Sequence, residues 1–125
     1  MRVLIVDDEE ELVEALVARL GLRGIEAFGV LGGEAALSRL ETESFDVILI
    51  DVKMPGIGGL ELIEEIKLRN PEQRVVMLTG HGSAGHAEQG LRLGAFSYLM
   101  KPVKINALVE VFERAVAPGA DGEEQ

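Results

Sequence analysis

The chain alternates between short apolar runs and longer amphipathic stretches. Most of the runs consist of valine, isoleucine and leucine without polar alternation, which is typical of strands buried on both faces of a sheet. We predict strands at residues 3–6, 25–30, 47–50, 75–78 and 96–100. Each run is followed by a stretch in which apolar residues recur every three or four positions, which indicates a helix. The predicted helices lie near residues 12–20, 34–40, 59–68, 84–93 and 105–116.

Turn-forming residues separate these elements, for example at Gly32-Gly33, Pro55-Gly56 and Asn70-Pro71. A strand followed each time by a helix predicts a doubly wound α/β fold with five parallel strands, because right-handed crossovers leave few alternatives. We expect residues 1–117 to form one domain. Residues 118–125 lack apolar periodicity, and we expect a flexible acidic C-terminal tail there.

Composition and charge exclude several kinds of protein. The 125 residues contain no cysteine, so thiolate metal sites, disulfides and cysteine nucleophiles are excluded. Acidic residues outnumber basic ones by 22 to 12, and the net charge of −10 disfavours direct binding to nucleic acid or anionic membranes. No apolar run is long enough to span a bilayer, and the N-terminal run is too short for a signal peptide. We therefore expect a cytoplasmic globular domain.

Polar residues follow four of the five predicted strands. The first strand is followed by Asp7 and Asp8, the third by Asp51, the fourth by Thr79 and the fifth by Lys101. The carboxyl ends of parallel strands meet at one edge of the sheet, where ligands bind in this class of fold. We therefore expect three carboxylates, one hydroxyl and one ammonium group to face a common crevice.

Each of these residues also has a simpler interpretation. Asp8 and Glu11 fit a capping box, in which Asp8 is the N-cap of the first helix, although capping does not exclude metal binding. Thr79 taken alone is typical of a turn, and Lys101 of a solvated strand end. Asp51 is followed by Val-Lys-Met-Pro, which does not start a helix, so capping does not explain it. The functional interpretation depends on the combination of all five residues.

The charges of this group indicate a divalent cation. Two carboxylates about 4 Å apart repel each other by roughly 4 kcal/mol at an effective dielectric constant near 20. Three acids and one lysine sum to −2, and hard oxygen ligands select magnesium, manganese or calcium. We favour Mg²⁺, with Mn²⁺ as the alternative, and predict Asp8 and Asp51 as direct ligands and Asp7 as a ligand through water.

Four ordered motifs resemble the receiver domains of bacterial two-component response regulators, of the chemotaxis-regulator type. They are Val-Asp-Asp-Glu at 6–9, Ile-Asp-Val-Lys-Met-Pro-Gly at 50–56, Leu-Thr-Gly-His at 78–81 and Lys-Pro at 101–102. The resemblance extends over residues 1–117 and includes Gly-Ala-Phe-Ser-Tyr-Leu-Met at 94–100. It implies a flavodoxin-like (βα)5 fold with strand order 2-1-3-4-5, which the hydrophobic pattern does not provide.

The resemblance also implies a role for each acid. Asp51 corresponds to the phosphoacceptor, whose carboxylate takes a phosphoryl group from a histidine kinase or a histidine phosphotransfer protein. Asp7, Asp8 and Asp51 would hold Mg²⁺ together with the backbone carbonyl of Lys53. Such a domain is a signalling switch that becomes phosphorylated and is not a turnover enzyme, although slow autodephosphorylation is expected.

Further residues of the motifs would bind the phosphoryl group and respond to it. Lys101 would pair with one phosphoryl oxygen and Thr79 would donate a hydrogen bond to another. Tyr98 would then turn inward, and the face formed by the fourth helix, fifth strand and fifth helix would change shape. The resemblance implies a cis bond before Pro102.

Two positions of the family's pattern tune the lifetime of the phosphorylated state, and here they are Lys53 and His81. The fourth predicted helix contains Gly85 and Gly90, each of which costs about 1 kcal/mol of helix propensity relative to alanine. We therefore expect this helix to be unusually mobile before phosphorylation.

Other functions fit the residues less well. Residues 80–85 match the dinucleotide-binding pattern G-x-G-x-x-G, but they lie in the fourth unit and the crevice is acidic. A flavin carrier would need a hydroxyl-rich phosphate loop where Asp7-Asp8 stands. A Mg²⁺-dependent aspartyl phosphatase would carry an acid at position 53, which is lysine. A receiver-like adaptor that acts without phosphorylation is the remaining alternative.

The motifs do not identify the partner. The pattern is compatible with a stand-alone regulator and with a receiver that belongs to a longer protein with a fused effector. It is also compatible with a monomer and with a phosphorylation-dependent dimer.

Overall fold

The computed structural model describes residues 1–80 and 84–119, in which five strands alternate with five helices. The strands are β1 (Arg2–Asp7), β2 (Glu26–Leu31), β3 (Val47–Asp51), β4 (Arg74–Thr79) and β5 (Ser97–Met100). The helices are α1 (Glu10–Leu22), α2 (Gly33–Leu40), α3 (Gly59–Arg69), α4 (Ala84–Arg92) and α5 (Ile105–Val116). The predicted alternation of strands and helices is thus confirmed.

The five strands form one parallel sheet in the order β2-β1-β3-β4-β5. This confirms the doubly wound α/β fold predicted from the pattern and the strand order implied by the resemblance. The register pairs Val6 with Ile50, Asp51 with Leu78 and Thr79 with Met100. The carboxyl ends of β1, β3 and β4 therefore lie side by side.

Two hydrophobic cores lie on opposite faces of the sheet, because successive residues of a strand point to opposite sides. On one face the strands pack against α1 and α5, and the buried residues include Ile5, Leu49, Leu78, Leu16, Leu20, Leu108 and Phe112. On the other face the buried residues include Leu4, Ile48, Ile50, Met77, Ala36, Leu62 and Ile63. Covering both faces explains the apolar character of the central strands.

The two outer strands are less buried than the three central ones. Residues of β2 are intermediate or exposed throughout, and only Ser97 of β5 is fully buried. An edge strand has a neighbour on one side only, so its apolar residues are less completely covered than those of β1, β3 and β4.

The structure extends three strands to include their polar ends. Asp7, Asp51 and Thr79 are the last residues of β1, β3 and β4, whereas the apolar runs alone end one residue earlier. All three are buried. The strands continue because the backbone pairing of a sheet does not depend on whether the side chain is apolar.

The start of α1 corrects the predicted capping box. The N-cap residue is Glu9 rather than Asp8, and it makes no side-chain capping hydrogen bond. The backbone N–H of Glu9 donates instead to Oδ1 of Asp7 at 3.1 Å. This bond closes the turn after β1 and shifts the helix start one residue further along the chain.

Two predicted features lie wholly or largely outside the described residues: His81, and most of the expected tail at 118–125. No helix in the described part of the chain combines the length and the apolar character needed to cross a membrane.

Candidate functional site

Three carboxylates converge at the carboxyl edge of the sheet, as predicted from the strand ends. Asp7, Asp8 and Asp51 each place one oxygen within 4.8 Å of the others, and we call them the acidic cluster. Asp7 and Asp51 are buried, whereas Asp8 is exposed. Because β1 and β3 are adjacent, the folded sheet brings together acids that lie 44 residues apart in the chain.

Asp7 is the most buried acid of the cluster, with 1% of its surface exposed. Its Oδ2 atom is buried and has no hydrogen-bond partner among the described residues, and the Lys101 ammonium lies 3.5 Å away. Burial raises the pKa of Asp7 to about 6, and the nearby charge of Asp51 acts in the same direction. The Glu9 N–H bond and the Lys101 charge lower this pKa but do not outweigh burial.

Asp51 is held between a backbone donor and a cation. Its Oδ1 accepts a hydrogen bond from the backbone N–H of Lys53 at 3.2 Å, and its Oδ2 accepts one from the Lys101 ammonium at 3.3 Å. Gly59 lies directly behind this loop, because a Cβ atom there would come within 2.5 Å of the Asp51 carbonyl oxygen. The carboxylate of Asp51 is therefore fixed at the edge of the crevice.

The donor set fits a hard divalent cation. Carboxylate oxygens are the ligands that Mg²⁺ prefers, and the Oδ2 atom of Asp7 is a buried acceptor to which no described residue donates a hydrogen bond. Like charges at this distance raise one another's energy unless a cation neutralises them. Lys101 alone leaves the acidic cluster with a net negative charge.

Lys101 joins the acidic cluster to α1. Its ammonium lies 3.1 Å from Glu9 Oε1, 3.3 Å from Asp51 Oδ2 and 3.5 Å from Asp7 Oδ2. Partial burial lowers the pKa of Lys101, but the hydrogen bond to Glu9 and the charges of Asp7 and Asp51 together raise it above its usual value. The contact with Glu9 was not predicted, because nothing in the spacing of these residues indicates that their side chains meet.

Thr79 ends β4, the strand next to that of Asp51, and Tyr98 lies on β5, the edge strand beyond it. Thr79 is buried, and its hydroxyl donates to the backbone carbonyl of Leu99 at 3.4 Å. Tyr98 is 39% exposed on β5. In this structure the Thr79 hydroxyl is thus engaged with the neighbouring strand, and the Tyr98 ring is turned toward solvent.

The remaining predicted residues are placed as follows. The side chain of Lys53 is exposed, and its backbone N–H is used by Asp51. The peptide bond between Lys101 and Pro102 is cis. His81 belongs to the part of the chain that is not described.

A groove of about 520 Å³ lies between α1 and the segment after β5. Glu9 and Lys101 line it together with apolar side chains, which include Leu12, Leu16, Leu78, Pro102 and Val103. The groove therefore places an apolar surface directly beside the acidic cluster.

Residues 3–113 match the response regulator receiver domain family. The response regulator protein FleR of Pseudomonas aeruginosa is 37% identical over 124 residues, which are 99% of this chain and 26% of FleR. The DNA-binding transcriptional regulator NtrC of Salmonella typhimurium is 35% identical over 115 residues, which are 92% of this chain and 24% of NtrC. The chain thus spans about a quarter of the length of these relatives.

Solved structures give the same result. A response regulator receiver domain protein from Clostridium thermocellum superposes with a TM-score of 0.88 at 32% identity, over 92% of this chain and 93% of that one. NtrX from Brucella abortus, solved in complex with ADP, gives a TM-score of 0.87 at 32% identity, over 92% of this chain and 26% of NtrX. With its motifs, strand order and acidic edge, the chain belongs to the response regulator receiver domain family of two-component signalling systems.

Proposed function

We propose that Asp51 is the phosphoacceptor of this receiver domain, which we expect to extend over residues 1–117. The observation that carries the proposal is the position of the Asp51 carboxylate, which lies at the carboxyl edge with Lys101 at 3.3 Å and two further acids within 4.8 Å. A nucleophile in this place has a cation for the incoming phosphoryl group and oxygen ligands for a metal.

The reaction is a phosphoryl transfer. A carboxylate oxygen of Asp51 attacks the phosphorus of a phosphohistidine, a phosphorus–oxygen bond forms and the phosphorus–nitrogen bond breaks. The histidine keeps the bonding electrons and takes up a proton from solvent. The product is an acyl phosphate on Asp51, and the protein contributes mainly positioning and charge neutralisation.

The acidic cluster and the backbone carbonyl of Lys53 would hold Mg²⁺, with Mn²⁺ as an alternative. When bound, the metal screens the negative charge of the incoming phosphoryl group. Support comes from the Asp7 Oδ2 atom, which is a buried acceptor without a donor among the described residues. Lys101 would contact a second phosphoryl oxygen and would orient the group on Asp51.

Thr79 and Tyr98 are proposed to convert phosphorylation into a change of shape. The Thr79 hydroxyl, now bonded to Leu99, would turn to a phosphoryl oxygen, and Tyr98 would move from solvent into the space this leaves. A phosphoryl group shifts the population only through its different contacts in the two states. The face formed by α4, β5 and α5 would then present a different surface.

Lys53 and His81 are proposed to set how long the phosphoryl group persists. The exposed side chain of Lys53 starts two residues after Asp51, from which it can overhang the bound group and restrict the approach of water. We propose that the domain acts as a switch and is not a turnover enzyme.

The phosphodonor is proposed to be a cytoplasmic histidine kinase or a histidine phosphotransfer protein. The apolar groove beside Lys101 supports this, because a docked helix there could bring a phosphohistidine to Asp51. The downstream partner is proposed to be an effector, fused or separate, since relatives such as NtrC are DNA-binding regulators. Phosphorylation-dependent dimerisation is one way in which the altered face could act.

Acetyl phosphate with Mg²⁺, followed by intact-mass measurement, tests this function. We expect the wild-type chain to gain one phosphoryl group and Asp51→Asn to gain none, because an amide is not a competent nucleophile. Asp46→Asn is the matched control, since Asp46 bonds the backbone N–H of Arg2 at the opposite end of the sheet, and it should be phosphorylated normally. Phosphorylation of Asp51→Asn, or sustained turnover of a small phosphomonoester, would contradict the proposal.

A further inference from the structure

Glu9 is the N-cap residue of α1, but its side chain does not cap the helix. Its backbone is extended, with φ −93° and ψ 101°, and its side chain makes no capping hydrogen bond. The carboxylate reaches the Lys101 ammonium instead, and the 3.1 Å contact is the shortest of the three that this lysine makes with acids of the described ranges 1–80 and 84–119. The Glu9 side chain is 63% exposed, whereas those of Asp7 and Asp51 are buried.

We infer that Glu9 is a positioning residue that holds Lys101 at the mouth of the crevice and competes with the phosphoryl group for it. This inference rests on the proposed function of Asp51. Glu9 would thereby slow phosphorylation and keep the unphosphorylated state favoured. It acts through Lys101 and does not touch the reacting atoms.

The competition follows from the number of donors on the lysine. An ammonium group has three protons, and here it donates hydrogen bonds to Glu9 and Asp51, while Asp7 Oδ2 lies 3.5 Å away as a third negative neighbour. A phosphoryl group on Asp51 brings further oxygens to the same cation, so they compete with the carboxylates that now contact it. Glu9 is the contact released most easily, because water solvates its exposed carboxylate at once, whereas the carboxylates of Asp7 and Asp51 are buried.

The experiment compares Glu9→Gln with the wild type at saturating Mg²⁺, with the rate of phosphoryl uptake from acetyl phosphate measured by intact mass. We expect Glu9→Gln to be about two- to fivefold faster at low ionic strength, the factor that corresponds to one exposed ion pair. Near 1 M salt the wild type should approach the variant, because screening weakens the exposed pair. Glu10→Gln is the matched control, since it removes the same charge from the next residue, which is not an ion-pair partner of Lys101.

A second variant distinguishes two ways in which Glu9 would slow the reaction: by holding Lys101, or by repelling the negatively charged acetyl phosphate. Glu9→Asp keeps the charge but shortens the side chain, and aspartate at an N-cap prefers the free N–H groups of its own helix. If Glu9 acts by holding Lys101, Glu9→Asp should be as fast as Glu9→Gln. A rate equal to that of the wild type would overturn the inference.

The remaining outcomes are equally distinct. Equal rates for Glu9→Gln and Glu10→Gln, or a slower Glu9→Gln, would overturn the role of Glu9 while the proposed function of Asp51 stands. No phosphoryl uptake by the wild-type chain would instead contradict the proposed function itself.

Discussion

At the scale of single residues, the buried carboxylate of Asp7 is unfavourable for folding when it is charged. Its carboxylate is almost completely buried, one oxygen lacks a hydrogen-bond donor among the described residues, and the pKa is raised to about 6. A folded state that holds this proton more tightly than the unfolded state loses stability as the pH rises from about 4 to about 6. Above pH 6 the charged, buried carboxylate of Asp7 lowers the free energy of unfolding by its full amount unless a cation neutralises it.

Asp7→Asn should therefore stabilise the metal-free fold. In the presence of EDTA at pH 8, we expect the free energy of unfolding to increase by on the order of 1–3 kcal/mol, because an amide replaces a buried charge and can donate toward the other acids. At pH 5 the gain should fall to about half, since Asp7 is then largely protonated in the folded wild type. Urea unfolding at both pH values measures this.

Asp8→Asn is the comparison for that measurement. It removes the same charge from the same acidic cluster, but Asp8 is exposed, so its gain should be clearly smaller. Equal gains for the two variants, or a gain for Asp7→Asn that does not change with pH, would contradict burial as the cause.

Among the elements, α4 has small residues at its most buried described positions. From Gly85 onward, where the burial of α4 is described, Ala87 and Gly90 are fully buried, and Gly90 packs directly against the end of the Met77 side chain on β4. Gly85 of the same helix is exposed and has open space around it. The two glycines thus have different effects: packing against Met77 requires Gly90, whereas Gly85 only lowers the helix propensity.

Alanine substitutions at the two glycines distinguish these two effects on stability. Gly90→Ala should destabilise the domain by about 1–3 kcal/mol, because the new methyl group would overlap the buried Met77 side chain. Gly85→Ala should instead stabilise it by up to about 1 kcal/mol through helix propensity. Urea unfolding measures both effects.

Amide hydrogen exchange then tests the expected mobility of α4. Exchange in the wild type should be faster in α4 than in α1 and should slow in Gly85→Ala. Exchange in α4 as slow as in α1 would remove the hypothesis, and a stabilising Gly90→Ala would contradict the packing interpretation.

For the whole molecule, the site depends on tertiary structure as much as the fold does. Its acids come from β1 and β3, its lysine follows β5, and the chain as a whole carries a net charge of −10. The unfolded chain separates these groups, so a cation that needs all three acids binds the folded state. Binding of that kind raises the free energy of unfolding by mass action.

Magnesium should accordingly stabilise the domain more than ionic strength alone. At a concentration ten times the dissociation constant, we expect a gain of about 1.4 kcal/mol in urea unfolding, compared with NaCl at equal ionic strength. The gain should shrink strongly in Asp51→Asn, which lacks one ligand charge. The same stability in both salts would speak against a specific site.

Much of the fold and of the acidic cluster could be predicted from local sequence patterns. The positions of the strands and helices, and the polar residues at the strand ends, were predicted because hydrophobic periodicity is a property of neighbouring residues. The convergence of Asp7, Asp8 and Asp51 also followed, since parallel strands bring their carboxyl ends to one edge. The strand order came from the resemblance, because periodicity carries no information about which strands are neighbours.

Other features depend on how the folded chain places distant groups. The bond between Lys101 and Glu9 joins residues 92 positions apart and requires two long side chains to point at each other. Helix α1 begins at Glu10, with Glu9 rather than Asp8 as its N-cap, because of the turn after β1. Strands β2 and β5 are incompletely buried because they lie at the edges of the sheet. Spacing along the chain predicts which backbone ends meet, but burial and side-chain direction arise only when the sheet and its helices are packed together.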